Sequence, residues 1–180
     1  MRIHYLNRNL YVFFCKFLIA GLLMIFSACS FVVDQMKEIP PDSELEVIFR
    51  NDRAVFEELV RMSDEDPNVI RIAYDFTWVA GLGLNTDSGQ LGFSEERWEE
   101  YKTRFRKLQL ETGVDRGKDG SVWFVAFSRG LAVSGLSKGY FFSKVKKDCT
   151  NDSLDVPEPF KDKPLICKKL DENWYLYLSS

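Results

Sequence analysis

The apolar residues of this chain change their period along its length, and that change constrains the fold more than any other feature. Leu45, Ile48, Phe49, Val55, Phe56, Leu59 and Met62 recur mostly every three or four positions, the spacing of an amphipathic helix. The stretch "VIRIAYDFTWV" at residues 69–79 alternates instead. Ile70, Ile72, Tyr74, Phe76 and Trp78 form its apolar set, which predicts one strand with one buried face. Trp98, Tyr101, Phe105 and Leu108 return to helical spacing. From Val122 onward the period is two. Residues 122–127 are apolar on both faces, as in a central strand, and residues 131–142 and 174–178 read as further strands. The order helix, strand, helix, strands predicts an α+β domain: two amphipathic helices packed on a mostly antiparallel β-sheet.

Local signals set the expected boundaries. Ser43 and Glu46 form a capping box that opens the first helix, which should run to about Ser63. Asp52 interrupts its stripe, so a break is expected near Asn51. Arg53–Glu57 and Glu57–Arg61 are i,i+4 pairs, and residues 64–67, "DEDP", end the helix. Ser94 caps the second helix, with Phe93 and Trp98 at the staple positions and Gly113 as its stop. The glycine-rich run from Gly81 to Gly92 reads as a loop, and Ser128, Arg129, Gly130 and Leu131 as a tight turn. Gly135 and Gly139 mark bends within a strand.

The N-terminal end carries an address. Residues 17–28 are uncharged and end in Phe26-Ser27-Ala28-Cys29. This block is too short for the roughly 20 apolar residues of a bilayer span, and it suits the core of a signal peptide. Arg2, Arg8 and Lys16 precede it with no acid among them. Here the chain resembles a bacterial lipoprotein. Ser27, Ala28 and Cys29 match the lipobox, while Phe26 stands where Leu is usual. The resemblance implies cleavage before Cys29, lipidation (palmitate among the acyl groups) of that thiol, and, with Ser30 rather than Asp following, sorting to the outer membrane facing the periplasm. Two other readings compete. Ala28-Cys29-Ser30 is also an A-x-S site for a soluble secreted protein, and residues 10–33 could persist as one anchor helix. The expected organisation is a signal peptide at 1–28, a tether at 29–41 and a single domain at 42–180. Residues 31–41 reach at most ~35–40 Å when extended, so the domain stays near the membrane.

Charge and cysteine use agree with export. The whole chain has 24 basic and 27 acidic residues; removing Arg2, Arg8 and Lys16 leaves 21 against 27, a net charge of −6. Such a domain gains nothing from counterion release, which argues against a nucleic-acid partner. Outside the leader and Cys29, only Cys149 and Cys167 remain. An even pair in an oxidising compartment predicts a disulfide, with about 3 kcal/mol gained by closing a loop of this size.

The single histidine is His4, inside the leader. Its position removes imidazole-based triads and the usual zinc ligands from the mature domain, so no metal and no cofactor is expected. Asp75, on the polar face of its strand, and Asp115 are candidate carboxylates for a hydrolase, which needs two acids across a substrate. "GLSKG" at 135–139 lacks the order and following helix of a phosphate loop and reads as bent strand. Leu84-Asn85-Thr86-Asp87 lacks the acid spacing of a calcium loop. Trp78, Trp123, Trp174, Tyr175 and Tyr177 serve either as stacking platforms or as core. The segments "RIAYDFTW", "GFSEERWEEY", "RGLAVSGLSKGY" and "NWYLY" resemble a set of small exported bacterial proteins without an assigned activity. The expectation is therefore a non-catalytic, lipid-anchored envelope protein that binds another protein in the periplasm, in assembly, inhibition or immunity. Its contact sites are expected at the loop between Gly81 and Gly92 and the Arg129-Gly130 turn. The alternative is a carboxylate-dependent hydrolase acting on envelope polymers.

Overall fold

The computed structural model describes residues 38–85, 92–130, 135–155 and 165–180. The leader, Cys29 and most of the tether lie outside the described residues. In chain order the elements are α1 (Asp42–Glu65), β1 (Val69–Ala73), β2 (Thr77–Val79), β3 (Gly83–Asn85), α2 (Glu95–Lys107), β4 (Gly113–Arg116), β5 (Val122–Arg129), β6 (Leu136–Phe142), β7 (Leu165–Lys169) and β8 (Trp174–Ser179). The chain is α+β with the sheet dominant. All neighbours in the sheet run antiparallel, in the order β3-β2-β1-β4-β5-β6-β8-β7.

Register divides the sheet into two faces. One row of directly opposed residues crosses every strand: Asn85, Thr77, Ile72, Val114, Phe124, Tyr140, Leu176 and Lys168. Its six middle members are buried, and five of them belong to the main core. Phe56 of α1 lies 5.4 Å from Phe124, 4.6 Å from Tyr140 and 5.6 Å from Trp174, and Phe49 lies 5.3 Å from Trp174. From α2, Trp98 Nε1 donates to Ala73 O at 2.8 Å and Phe105 meets Tyr74 edge-on. The helices also meet each other: Asp66, just past α1, accepts from Arg97 and from the Tyr101 hydroxyl, and Arg104 donates to Glu58.

The start of α1 departs from the capping box. The helix begins after Pro41, with no side-chain cap, and Ser43 lies inside its first turn. The cap comes from far away in sequence. Both carboxylate oxygens of Asp155 accept the Asp42 N–H, at 2.9 and 3.0 Å, and Asp42 Oδ2 in return accepts the Leu154 N–H at 2.8 Å. Lys138, fully buried on β6, supplies the opposite charge. Its Nζ donates to Pro40 O and Asp155 Oδ1 and lies 2.8 Å from Asp42 Oδ1. Burial would raise the Asp42 carboxyl, but the contact with Lys138, the Leu154 N–H and the charges of Lys138 and Lys168 together hold it below its ordinary value of 3.8. Two carboxylates beside the first turn also complement the positive end of the helix dipole.

Other boundaries follow or depart from expectation for local reasons. The break in α1 falls at Asp52, whose φ and ψ are −118° and 23°. Arg53 pairs with Glu57 as expected, whereas Arg61 turns to Glu65 and Glu58. Ser94 Oγ accepts the Arg97 N–H, the expected cap, and Phe93 stacks on Tyr101. Gly113 is not the helix stop. The chain reverses at Gln109 (φ 55°), with Leu110 N donating to Phe105 O and Gln109 N to Arg106 O, a Schellman motif closed without glycine. Gly113 instead lies in β4, where φ is 137° and a Cβ would stand 2.1 Å from Ile72 O.

The predicted single strand at 69–79 is a hairpin. Ala73 N donates to Phe76 O, which closes a turn over Tyr74 and Asp75, and a register shift between Val69 and Arg71 adds one residue to β1. Trp78 and Ile70, assigned to the buried face, are 46% and 41% exposed, while Thr77 and Val79 are buried in their place. Ser128 and Arg129 are strand residues opposite Ser137 and Leu136 rather than a tight turn; Gly130 follows them, and Leu131 lies outside the described residues. The bend expected at Gly139 has a partner. The β5 register shifts between Val125 and Phe127, and a Cβ on Gly139 would sit 2.0 Å from Phe124 O. The run at 136–142 is strand throughout, as read against the phosphate-loop alternative.

Cys149 and Cys167 are bridged, with Cα atoms 5.0 Å apart. The bond ties the segment after β6 to β7, an edge strand. The buried Lys138 cluster generates a test. Replacing Lys138 with Met removes the nearest ammonium and leaves buried Asp42 with only the longer 3.4 Å contact to Lys168 as its opposite charge. Urea denaturation should show a loss of about 3–5 kcal/mol in stability. A loss below about 1 kcal/mol would mean that the cluster is not holding the first turn of α1.

Candidate functional site

A second row crosses all eight strands on the opposite face: Leu84, Trp78, Arg71, Asp115, Trp123, Phe141, Tyr175 and Lys169. It is heterogeneous. Phe141 and Tyr175 are buried and stack at 4.7 Å, with Trp123 stacked on Phe141 at 4.5 Å and Tyr177 against Trp123 at 5.0 Å. The disulfide packs on this small second core, and Lys147 N donates to the Tyr175 hydroxyl. At the far end, on the β2–β3 hairpin, Trp78 and Leu84 oppose each other at 46% and 55% exposure, and Leu82 in the turn is 67% exposed.

Between the two lies a groove of about 470 Å³, walled by Arg71, Asp115, Trp123, Ser128, Ser137 and Tyr177 among others. Arg71 and Asp115 are directly opposed in register, and Nε lies 3.2 Å from Oδ1. The guanidinium also stands 5.7 Å from the Phe76 ring. Surrounding protein pushes the Asp115 carboxyl up, and the Arg71 charge only partly offsets this, so the net shift is upward from 3.8. Ser137 reaches Ser179 Oγ at 2.7 Å and the Tyr177 hydroxyl, whose own pKa burial drives upward. Trp123 Nε1 donates to Ser121 Oγ at 2.9 Å, which fixes the plane of its ring.

The sequence-predicted residues are distributed unevenly over this face. Asp115, Trp123 and Tyr177 line the groove. Tyr175 lies beneath the disulfide-tied segment, and Trp174 points to the main core with α1. Asp75 is not mid-strand: it is exposed in the β1–β2 turn and does not meet Asp115 in the groove. The expected loop from Gly81 to Gly92 contains β3, and its residues 86–91 lie outside the described residues. Asn85 is buried and donates to Gly83 O. Among the described residues, no group of three or more His, Cys, Asp or Glu is arranged to hold a metal ion, and no helix is long and apolar enough to cross a membrane.

Sequence reasoning missed Arg71, Ser128 and Ser137. Arg71 read as an ordinary solvated position, and its pairing with Asp115 depends on a register that the sequence does not print. The available signal was opposite charge on two strands, which becomes informative only once β1 and β4 are known neighbours. Comparison with family models, with curated proteins and with solved structures found no match.

The raised Asp115 carboxyl has a sign. An acid whose folded pKa lies above its unfolded value favours folding below the unfolded value, and the benefit is lost as pH rises through the folded value. Ionised Asp115 is therefore a cost at pH 7. Asp115→Asn should be at least as stable as wild type in urea at pH 7, and wild type should gain on the variant as pH falls towards 3.8. A constant difference across that range would show that burial does not perturb this carboxyl.

Proposed function

We propose that this chain is a lipid-anchored protein of the bacterial envelope that acts without catalysis, by binding another protein in the periplasm. In this reading the leader is cleaved before Cys29, the thiol is acylated, and residues 29–41 tether the domain to the outer membrane. Two amphipathic helices packed on one face of the sheet make the scaffold, and the opposite face makes the contact. Assembly of an envelope complex, inhibition of an enzyme and immunity to a toxin are all served by this arrangement.

The observation that carries the reading is the contiguous exposure of Trp78, Leu82 and Leu84 on one edge hairpin. Tryptophan is enriched in binding hot spots, an exposed apolar patch marks an interaction surface, and anchors held on paired strands lose little entropy on association. The neighbouring Arg71–Asp115 pair adds charge beside the apolar contact. A hydrolase reading draws on the raised Asp115 carboxyl. It is the weaker of the two, because a glycosidase needs a second acid across the substrate and Asp115 is the one acid among the residues lining the groove.

Two measurements test the proposal. Cells fed a labelled fatty acid should incorporate it into the protein, and Cys29→Ala should abolish incorporation; an unlabelled wild type would remove the lipid anchor. A photo-crosslinker placed at Leu84 should give a discrete adduct in intact cells that one placed at the exposed Val145 does not, and Trp78→Asp should eliminate it. Equal adducts from both positions would reject this hairpin as the contact. If the purified protein cleaved an envelope polymer and Asp115→Asn abolished that cleavage while the adduct and stability stayed normal, an enzyme should be sought instead.

A further inference from the structure

The groove holds more polar machinery than an apolar docking patch uses, and the machinery is of one kind. Arg71 offers donors and Asp115 offers acceptors side by side at 3.2 Å, so the wall presents both hydrogen-bonding senses with no net charge. An anionic ligand would have to displace Asp115 and a cationic one Arg71. An apolar ligand would desolvate the pair and leave its remaining donors and acceptors unmet, a costly arrangement. Among the described residues, Arg71 Nε already has no aligned hydrogen-bond acceptor. Across the groove the Ser137 hydroxyl, linked to Ser179 and Tyr177, is a donor and acceptor held in place by its neighbours. Trp123 presents a ring fixed by Ser121 and by stacking on Phe141.

We propose that this groove is a carbohydrate-binding site for a neutral glycan, with one pyranose ring on Trp123 and adjacent ring hydroxyls bridging Arg71, Asp115 and Ser137. The chemistry is complementary at each point. The C–H face of a pyranose suits an indole ring. A vicinal diol donates to a carboxylate and accepts from a guanidinium through charge-assisted bonds. The volume of about 470 Å³ is within the range of small-molecule sites. This inference goes beyond the protein-docking reading and does not rest on it, since it uses the groove rather than the hairpin edge.

The test uses the full-length chain in a detergent without a sugar headgroup. Chitotetraose, cellotetraose, maltotetraose and N-acetylglucosamine are titrated to about 10 mM, enough to fill a site with a Kd near 1 mM. Binding is read by calorimetry and by the chemical shift of the Trp123 indole N–H. At least one sugar should bind and move that resonance. Asp115→Asn and Trp123→Ala should each weaken binding about ten-fold or more, and Val145→Ser should leave it unchanged. Asp115→Asn preserves side-chain volume, so it decides the matter should Trp123→Ala fail to fold. A tetramer that binds more tightly than the monosaccharide identifies a polymer chain as the source; equal affinity identifies a free sugar. Absence of binding by all four sugars, or equal binding by Asp115→Asn and wild type, overturns the proposal.

Discussion

A single buried ammonium holds together parts of the chain that are far apart in sequence. Lys138 has no exposed side-chain surface; its Nζ donates to Pro40 O and Asp155 Oδ1 and forms an ion pair with Asp42 Oδ1 at 2.8 Å. Asp42 opens α1, Asp155 follows the disulfide's Cys149 in the segment after β6, and Lys138 itself is mid-strand in β6. Lys168 on β7 extends the network to Asp42 and Glu46. Desolvating these charges costs free energy that only their mutual pairing offsets. The cluster therefore fixes one arrangement of helix, strand and loop rather than adding a general stickiness.

That fixed arrangement explains the division of the sheet. With α1 seated by its first turn, Phe49 and Phe56 reach Tyr140, Phe124 and Trp174 on one face. Among the described residues, the other face carries the second aromatic cluster, the groove and the exposed hairpin edge. At the β8–β7 side it is closed by stacked aromatics and the disulfide, and at the β2–β3 side Trp78 and Leu84 remain exposed. The groove occupies the step between them. Side chains from β1, β4, β5, β6 and β8 wall it, among them Arg71, Asp115, Trp123, Ser137 and Tyr177.

Where the sequence reading departed from the structure, the cause was pairing. The run at 69–79 has the alternation of one long strand, but a turn at Tyr74 and Asp75 folds it back on itself. One extra residue in β1 then changes which side chains share a face, as any one-residue slip must. The turn itself sets Ile72 opposite Thr77, so Trp78 lies on the other face and at the surface, and Asp75 lies in the turn; the extra residue leaves Ile70 exposed and Val69 opposite Val79. The strands at Gly83–Asn85, Gly113–Arg116 and Leu165–Lys169 were illegible because each is short and carries Gly, Asp, Arg or Lys, residues that earn strand structure only from a neighbour. The α1 cap was misread for a related reason. Ser43 and Glu46 form a valid local motif, but Asp155 supplies a charged acceptor that takes its place.

The sequence by itself determined the elements whose evidence is local. The helical stripes, the kink at Asp52, the Ser94 cap, the central place of residues 122–127 and the last strand all follow from spacing within one segment, where backbone geometry dictates which side chains align. The Cys149–Cys167 pair was legible because only two cysteines remained to be paired after Cys15 and Cys29. Tertiary structure alone decided what depends on distant partners: the Lys138 cluster, the meeting of Arg71 with Asp115, and the exposure of Trp78. These rest on register and on loop closure across more than a hundred residues, and neither leaves a mark in any one stretch of sequence, because the energy that selects them appears only when the strands are already side by side.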